Sequence, residues 1–149
     1  MKEVTKIADG ANFSAISVGP LSELGEYVLV AGPEFQIPGK VFGGTACGAT
    51  GGEFSFQLFQ PGTETGFLHA HKTHEELYIF LRGQGQMQVD GEIIPVGEGS
   101  VVRVAPAGAR SVRCNGSEPL IMLCVQYRGN TLTAEDLTDG VMIPEPVKW

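Results

Sequence analysis

The stretch that decides the fold of this chain is residues 66–83, which read GFLHAHKTHEELYIFLRG. All three histidines of the protein lie in it, at His69, His71 and His74, and Glu75 and Glu76 follow at once. A cluster of imidazole and carboxylate groups is typical of a metal site. The sequence on either side indicates the framework that holds these groups.

The second half of this stretch has the pattern of a β-strand that is buried on both faces. A period of two places Glu76, Tyr78 and Phe80 on one face and the apolar residues 77, 79 and 81 on the other. One face can line the interior of a barrel, whereas the other needs a covering layer, from an N-terminal arm or a second subunit. We expect a homodimer.

Eight short segments rich in β-branched or aromatic residues are bounded by turn residues, and they predict an all-β sandwich or barrel. They are Phe54–Gln60, Phe67–His71, Leu77–Arg82, Gln86–Asp90, Glu92–Val96, Val101–Ala105, Ser111–Cys114 and Leu120–Gln126. Asp90-Gly91 predicts a tight hairpin, because this pair tolerates positive φ, and Arg82 to Gly85 predicts a looser one. Each turn is expected to join two antiparallel neighbouring strands.

The two histidines of the His69-x-His71 pair are predicted to hold a metal. Residues i and i+2 of a strand point the same way, and Glu76 on the next strand can complete one face of a coordination sphere. Two imidazoles and one carboxylate suit a divalent transition metal, namely Fe, Mn, Ni, Co or Zn. We interpret His74 as a loop residue or a partner of the ligands, and Glu75 as a solvated neighbour.

Two motifs resemble those of the cupin superfamily. The first is His69-x-His71-x4-Glu76-x6-Gly83, preceded by a Pro61-Gly62 turn, and the second is Gly99-x6-Pro106-x-Gly108-x2-Ser111-x3-Asn115. The resemblance spans about half of the chain and implies a cupin jelly-roll barrel, also called a double-stranded β-helix. It implies no single function, because this barrel hosts isomerases, dioxygenases, decarboxylases, sugar-binding sensors and storage proteins.

One departure from the cupin pattern concerns the fourth ligand, a histidine in cupins with a full metal site, for which this chain has Ser111. The spacing from Gly99 to Pro106 is also one residue longer than the common pattern. The apolar alternation of Val112 and Cys114 suggests that Arg110 points inward instead of Ser111.

An inward Arg110 predicts a cation beside the metal that clamps an anionic group of a substrate. Two alternatives stay open: Arg110 is a rim residue paired with an acid, or Arg103 or Arg113 takes the clamping role. Tyr78 is the candidate to donate or accept a proton, while Phe80 would form apolar wall. Gln57 or Gln60 would add a polar contact.

Composition excludes several classes of partner. The net charge of −7 and only ten Lys and Arg residues among 149 argue against nucleic acid and anionic membrane as partners. No apolar run is long enough to span a bilayer, and acidic residues near the start argue against a signal peptide. The three cysteines form no C-x-x-C pair, so we expect reduced thiols and a cytoplasmic protein.

The chain is expected to form one domain. Residues 1–50 predict an N-terminal arm with one or two strands, including the apolar run Tyr27–Ala31, and residues 51–128 predict the barrel. Residues 129–149 predict a tail laid back over the barrel, with a short helical turn at Thr133–Leu137 that an N-cap hydroxyl and acids in the first turn favour.

The predicted function is a small cupin that binds a divalent metal at the barrel mouth. The first hypothesis is a metal-dependent enzyme for a small anionic or oxygenated metabolite, with His69, His71 and Glu76 as ligands and Tyr78 and Arg110 as catalytic residues. The second is a non-catalytic module that binds a small ligand, and the third is a purely structural barrel. The sequence does not distinguish oxygen chemistry from isomerisation.

Overall fold

A computed structural model describes all 149 residues, and it consists almost wholly of β-strands, as predicted. The strands are β1 (Thr5–Asp9), β2 (Ser14–Ser17), β3 (Val28–Gly32), β4 (Phe35–Pro38), β5 (Lys40–Phe42), β6 (Gly52–Phe59), β7 (His74–Arg82), β8 (Gln84–Val89), β9 (Glu92–Gly97), β10 (Val101–Val104), β11 (Arg110–Arg113) and β12 (Leu120–Arg128). Two 3-10 helices, Leu21–Glu26 and Asp136–Thr138, complete the structure.

Two antiparallel sheets form the body of the molecule. The larger has the strand order β10-β7-β12-β6-β5, and the smaller has the order β11-β8-β9. Their inner faces meet in one apolar core, to which Phe80 and Met122 contribute from the larger sheet and Met87 and Val112 from the smaller. Tyr78 and Cys124 belong to this core and also bond to Glu76, so the polar groups described below border it.

The predicted tight hairpin at Asp90-Gly91 is present, but the predicted hairpin at Arg82 to Gly85 is wrong, because β7 and β8 lie in different sheets and do not pair. Asp90 and Gly91 have φ values of 50° and 88° and join β8 to β9. Gly83 has a φ of 83° between β7 and β8, and a Cβ there would lie 2.3 Å from the carbonyl oxygen of Pro119. Only glycine fits this position, because the backbone is left-handed and the next chain segment is too close for a side chain.

The predicted strand Phe67–His71 is wrong. This segment belongs to an irregular connection between β6 and β7 that touches the smaller sheet only through isolated bridges, one of them His69 to Arg110. Gly62 and Gly66 have positive φ values of 78° and 81°. These left-handed residues interrupt the extended backbone, so no continuous ladder can form.

The N-terminal arm contains five strands and not the predicted one or two. β1 and β2 form one hairpin and β3 and β4 a second, while β5 joins the larger sheet at its edge beside β6. The hairpins were hard to predict because they are short and mostly exposed, so they lack the periodic apolar pattern of a buried strand.

The outer face of the larger sheet is covered on one side by the arm. Leu24 and Tyr27 of the arm pack there against Val41, Leu58 and Ile121. The rest of this face carries apolar side chains without a covering layer: Leu77, Ile79, Val101, Leu123 and Val125. Val101 is 58% exposed.

The C-terminal tail forms the predicted single helical turn at Asp136–Thr138, and the Thr133 hydroxyl donates to Asp136 Oδ2 at 2.8 Å. The tail is not laid back over the barrel, because every residue from 130 to 149 is exposed. Too few of its apolar side chains meet the sheets to repay the ordering of the chain. No helix in the structure has the length and apolarity to cross a membrane.

Candidate metal centre

Two elements bring His69, His71 and Glu76 together. The backbone N–H of His69 donates to the Arg110 carbonyl at 3.2 Å, and that of His71 donates to the Pro106 carbonyl at 2.8 Å. These bonds hold the connection before β7 against the smaller sheet. Glu76 lies on β7 and is 5% exposed. The two histidines therefore face Glu76 although they lie in a loop and not in the predicted strand.

The three side chains have the spacing of a metal centre. One ligand atom from each of His69, His71 and Glu76 lies within 4.8 Å of the others. The two imidazole rings are 5.5 Å apart and perpendicular. Two ring nitrogens and a carboxylate oxygen at this separation can occupy one face of a coordination sphere.

Two buried ring nitrogens have no hydrogen-bond partner, and this tests whether the site fits a metal. They are Nδ1 of His69 and Nε2 of His71. His71 Nε2 lies 3.1 Å from Glu76 Oε1, but the pair does not have the geometry of a hydrogen bond. A buried polar atom without a partner destabilises the fold. A cation bound between the three groups would remove that cost, so the residues fit a metal.

Arg110 lies inside the barrel with no exposed surface, on the face that the alternation with Val112 and Cys114 predicts. Its Nη2 and Nε donate to Glu76 Oε2 at 2.6 and 3.0 Å. Its Nη1 donates to the carbonyls of Gly108 and Pro106 at 2.8 and 3.2 Å. All three guanidinium nitrogens thus bond to protein groups, which supports a role in holding Glu76 and offers no support for a substrate clamp.

Tyr78 is also hydrogen-bonded to Glu76. Its hydroxyl donates to Glu76 Oε2 at 2.6 Å. Burial raises the pKa of the Tyr78 phenol, and the negative charge of Glu76 raises it further. A phenol that is harder to ionise is a poor general base, because the catalytic pKa has to lie near the working pH.

The electrostatics keep Glu76 ionised. Burial raises the pKa of Glu76, but hydrogen bonds from Tyr78 and Arg110 and the charge of Arg110 outweigh it and lower the pKa to about 2. Burial and the charge of Arg110 lower the pKa of His69, which favours the neutral imidazole. A carboxylate and a neutral imidazole are the states in which these groups bind metals.

Cys124 borders the ligands from β12. Its thiol donates to Glu76 Oε1 at 3.5 Å. Burial and the charge of Glu76 raise the pKa of Cys124 to about 12, so it is held as a thiol. The three cysteines are all free.

The other residues singled out in the sequence do not join these ligands, although the ring of His74 lies 6.0 Å from that of His71. His74 is exposed at the start of β7, Glu75 faces outward and pairs with Arg103, and Ser111 lies on the outer side of β11. Arg113 donates to Gln86 at the surface. Phe80 belongs to the apolar core. Gln60 is exposed, whereas Gln57 is buried and faces inward from β6.

Sequence reasoning missed Lys40. It lies on β5 opposite Gln57, with its amine 5.4 Å from the centre of the Phe42 ring. The side chain makes no hydrogen bond or ion pair, and burial lowers its pKa. The available signal was a lysine next to Val41 and Phe42, but a three-residue strand between glycines has no periodicity to detect.

A cavity of about 300 Å³ lies between β4, β6 and the connection that carries Phe67. Gln57 and Pro38 lie on one side of it and Phe67 on another. The Phe67 ring is 5.9 Å from the ring of His69 and 5.4 Å from that of Phe35. The cavity is at the lower end of the volumes that hold small ligands.

Known proteins resemble this chain in sequence and in fold. The sequence pattern of the cupin domain matches residues 55–126. A crystal structure of a cupin protein from Bacteroides fragilis is 34% identical, with a TM-score of 0.66, over 70% of this chain and 88% of that one. The crystal structure of a predicted oxalate decarboxylase from Thermotoga maritima is 24% identical, with a TM-score of 0.53, over 60% of this chain and 80% of that one.

An uncharacterized protein of Methanocaldococcus jannaschii is 36% identical over 66 residues. The match covers 44% of this chain and spans about half the length of the archaeal protein, 52%. The match covers most of the length of the Bacteroides and Thermotoga proteins instead, 88% and 80%.

Proposed function

Because the chain belongs to the cupin family, we propose that it is a metal-dependent cupin that binds a small anionic metabolite beside a divalent transition metal. His69, His71 and Glu76 are the proposed ligands. The observation that carries the proposal is a pair of buried imidazole nitrogens without a partner, on two histidines that each bring a ligand atom within 4.8 Å of one of Glu76.

The types of ligand atom restrict which metals the site would bind. Two imidazoles and one carboxylate favour Fe, Mn, Ni, Co or Zn over the hard cations Ca and Mg, which prefer oxygen ligands. A metal held there supplies a Lewis acid that polarises an oxygen of the bound ligand.

Arg110 and Tyr78 position Glu76 in this proposal. Both donate to Oε2, and Oε1 is left on the side of His71. The carboxylate therefore cannot rotate without breaking three charge-assisted hydrogen bonds, two from Arg110 and one from Tyr78. A catalytic role for either residue stays a prediction, and so does a cytoplasmic location.

A second candidate function is a non-catalytic module that binds a small ligand. The hydrogen bonds that Arg110 and Tyr78 donate to Glu76 favour this candidate, since neither side chain is left free to transfer a proton. The name of the Thermotoga protein does not decide between the two, because at 24% identity that likeness shows the fold alone.

We also propose that two copies associate through the uncovered outer face of the larger sheet. This face combines the exposed Val101 with part-buried Leu77, Ile79, Leu123 and Val125. An apolar sheet face normally packs on a second layer, and the arm provides that layer on one side only. A second copy offers the same apolar surface in return.

Metal analysis of protein purified without an affinity tag tests the proposed function. We expect close to one transition metal per subunit, either as isolated or after reconstitution with each of the five metals. A content below a tenth of that in every sample would overturn the site. Oxygen uptake and product formation with a panel of small organic acids then separate the enzyme from the binding module.

A further inference from the structure

The C-terminal tail divides into an acidic part and an apolar part. Residues 133–140 read TAEDLTDG and carry three carboxylates, whereas residues 141–149 read VMIPEPVKW and carry one acid and one lysine. Segments that stay without fixed structure in water have few β-branched and aromatic residues. The apolar part has the opposite composition, which is typical of a segment that packs against another surface.

The apolar part of the tail finds no such surface in its own chain. Its large apolar side chains are all exposed, namely Val141, Met142, Ile143, Val147 and Trp149. Single exposed apolar residues are ordinary on a protein surface, but a concentration of them marks an interaction site. Since the chain itself does not cover these side chains, we expect another molecule to do so.

The tail leaves the body of the molecule beside the uncovered outer face of the larger sheet. Leu132 and Asp136 of the tail line a cavity together with Leu77 of β7 and Arg103 of β10. Leu77 is one of the apolar residues through which two copies are proposed to associate. In a two-fold dimer the same face of both copies forms the interface. The tail of one copy therefore starts next to the second copy.

The size of a stable interface favours a contribution from the tail. Specific interfaces bury roughly 800 Å² and involve roughly 20–30 residues per partner. The uncovered face offers five apolar side chains, and four of them are already part-buried. Burial of one tryptophan adds roughly 150–250 Å², and the other apolar side chains of residues 141–149 add to this area.

Pro144 and Pro146 restrict the form in which the segment can dock. Both lack an N–H and fix φ, which favours an extended helix without internal hydrogen bonds. Nine residues in this form span about 28 Å. This exceeds the distance of about 19 Å between β10 and β5, the outer strands of the larger sheet. The segment can thus cross the sheet face through side-chain contacts, whereas the prolines disfavour its addition as a further strand.

We propose that residues 141–149 of each copy pack on the uncovered outer face of the larger sheet of a second copy, so that the two tails are exchanged. Ile143 and Trp149 supply the largest apolar side chains of the contact beside Met142. The exchange rests on the dimer that is part of the proposed function, and it names the segment that completes its interface.

Trp149 is the one tryptophan of the chain, so its fluorescence reports on the tail directly. Where light scattering gives a mass of two chains, we expect its emission at shorter wavelength than in urea and acrylamide quenching at least twofold weaker. Both differences should disappear in Val101→Glu, which should be a single chain. Dilution of the wild type to single chains should have the same effect, which keeps the test decisive if that variant does not fold.

Two substitutions at equally exposed residues of the tail form a matched pair. Ile143 and Leu137 are both 76% exposed, so neither change removes packing within the chain. Ile143→Asp should raise the dissociation constant of the dimer at least tenfold, because a carboxylate at the contact has to lose its hydration. Leu137→Asp lies in the acidic part and should raise it less than threefold. Equal constants for the two variants would overturn the exchange.

Mass and fluorescence separate failure of the exchange from failure of the dimer. A wild-type dimer in which Trp149 is quenched as strongly as in urea refutes the exchange and leaves the dimer. A wild type that is a single chain at every concentration refutes both. Shielding of Trp149 that persists in single chains would place the tail on its own chain, and shielding that requires phosphatidylcholine vesicles would make a bilayer the partner; either result overturns the exchange. The metal centre is tested apart from these outcomes, by metal content.

Discussion

The guanidinium of Arg110 and the carboxylate of Glu76 form an ion pair inside the barrel, with Nη2 2.6 Å from Oε2 and both side chains almost wholly buried. The pair uses one carboxylate oxygen and leaves the other near His71. In cupins with four ligands a histidine is expected close to this point in the chain. Here a cation from the adjacent position fixes Glu76, so the proposed metal centre has three ligands.

Removal of the cation should destabilise the protein strongly. Arg110→Met leaves the Glu76 carboxylate buried with the Tyr78 hydroxyl and the Cys124 thiol as its side-chain donors. Loss of one partner of a buried pair costs about 3–5 kcal/mol. Urea unfolding of metal-free protein measures the change. Addition of Zn²⁺ should restore part of the stability, since the metal supplies positive charge to the same carboxylate.

The double variant Glu76→Gln/Arg110→Met is the control for this prediction. It removes both charges, and we expect it to be more stable than Arg110→Met alone. Unfolding midpoints for Arg110→Met that match the wild type would show that the ion pair does not hold the site.

Metal binding should depend on His71 and not on His74. His71→Ala removes a buried nitrogen without a partner and should reduce bound metal to less than a tenth of the wild-type content. His74→Ala removes an exposed imidazole within five residues of both histidine ligands in the sequence, and it should leave the metal content unchanged. Elemental analysis of the three proteins after identical reconstitution is the measurement, and equal loss in both variants would contradict the assignment.

The sequence predicts the β-strands from β6 onward well because each is buried on at least one face. Periodicity records burial, so Glu76, Tyr78 and Phe80 are found on the inner face of β7 and Arg110 replaces Ser111 inside the barrel. Periodicity failed where burial does not alternate. The loop that carries His69 and His71 is fixed by a few backbone hydrogen bonds, to Arg110 of the smaller sheet and to Pro106, and such contacts leave no local pattern.

Two features of the site could not be inferred from local sequence. The partner of Arg110 depends on β11 and β7 facing each other across the barrel, 34 residues apart in the chain. Lys40 enters the interior only because β5 joins the edge of the larger sheet. Both are consequences of sheet order, which a single sequence indicates much less directly than it indicates strands.

Acid should weaken the connection between β5 and β6 through Glu53. Its carboxylate accepts from the backbone N–H groups of Gly44, Thr45 and Phe54 and from the Thr45 hydroxyl. Burial raises the pKa of Glu53, but these bonds outweigh it and leave the pKa below the ordinary value of 4.5. A depressed folded-state pKa stabilises the protein above pH 4.5, and this contribution is lost as the pH falls below that value.

The variant Glu53→Gln tests whether the Glu53 carboxylate contributes this pH-dependent stability. The amide cannot accept at both of its terminal atoms, so the variant should unfold at lower urea than the wild type at pH 7. The difference between the two midpoints should shrink as the pH falls from 5 towards 3. Glu92→Gln, at an exposed carboxylate, serves as the control and should show no such trend. A difference that stays constant over this range would mean that Glu53 is not the titrating group.

The proposed dimer should separate when its apolar face gains charge. Val101 is 58% exposed on the uncovered face of the larger sheet, and Ile93 is 50% exposed on the smaller sheet. A glutamate buried at an interface must lose its hydration, whereas one that remains in water costs little. Val101→Glu should therefore shift the mass measured by light scattering during gel filtration from two chains to one, and Ile93→Glu should leave it at two. A wild type that elutes as a single chain at every concentration tested would refute the dimer, and both variants as dimers would place the interface elsewhere.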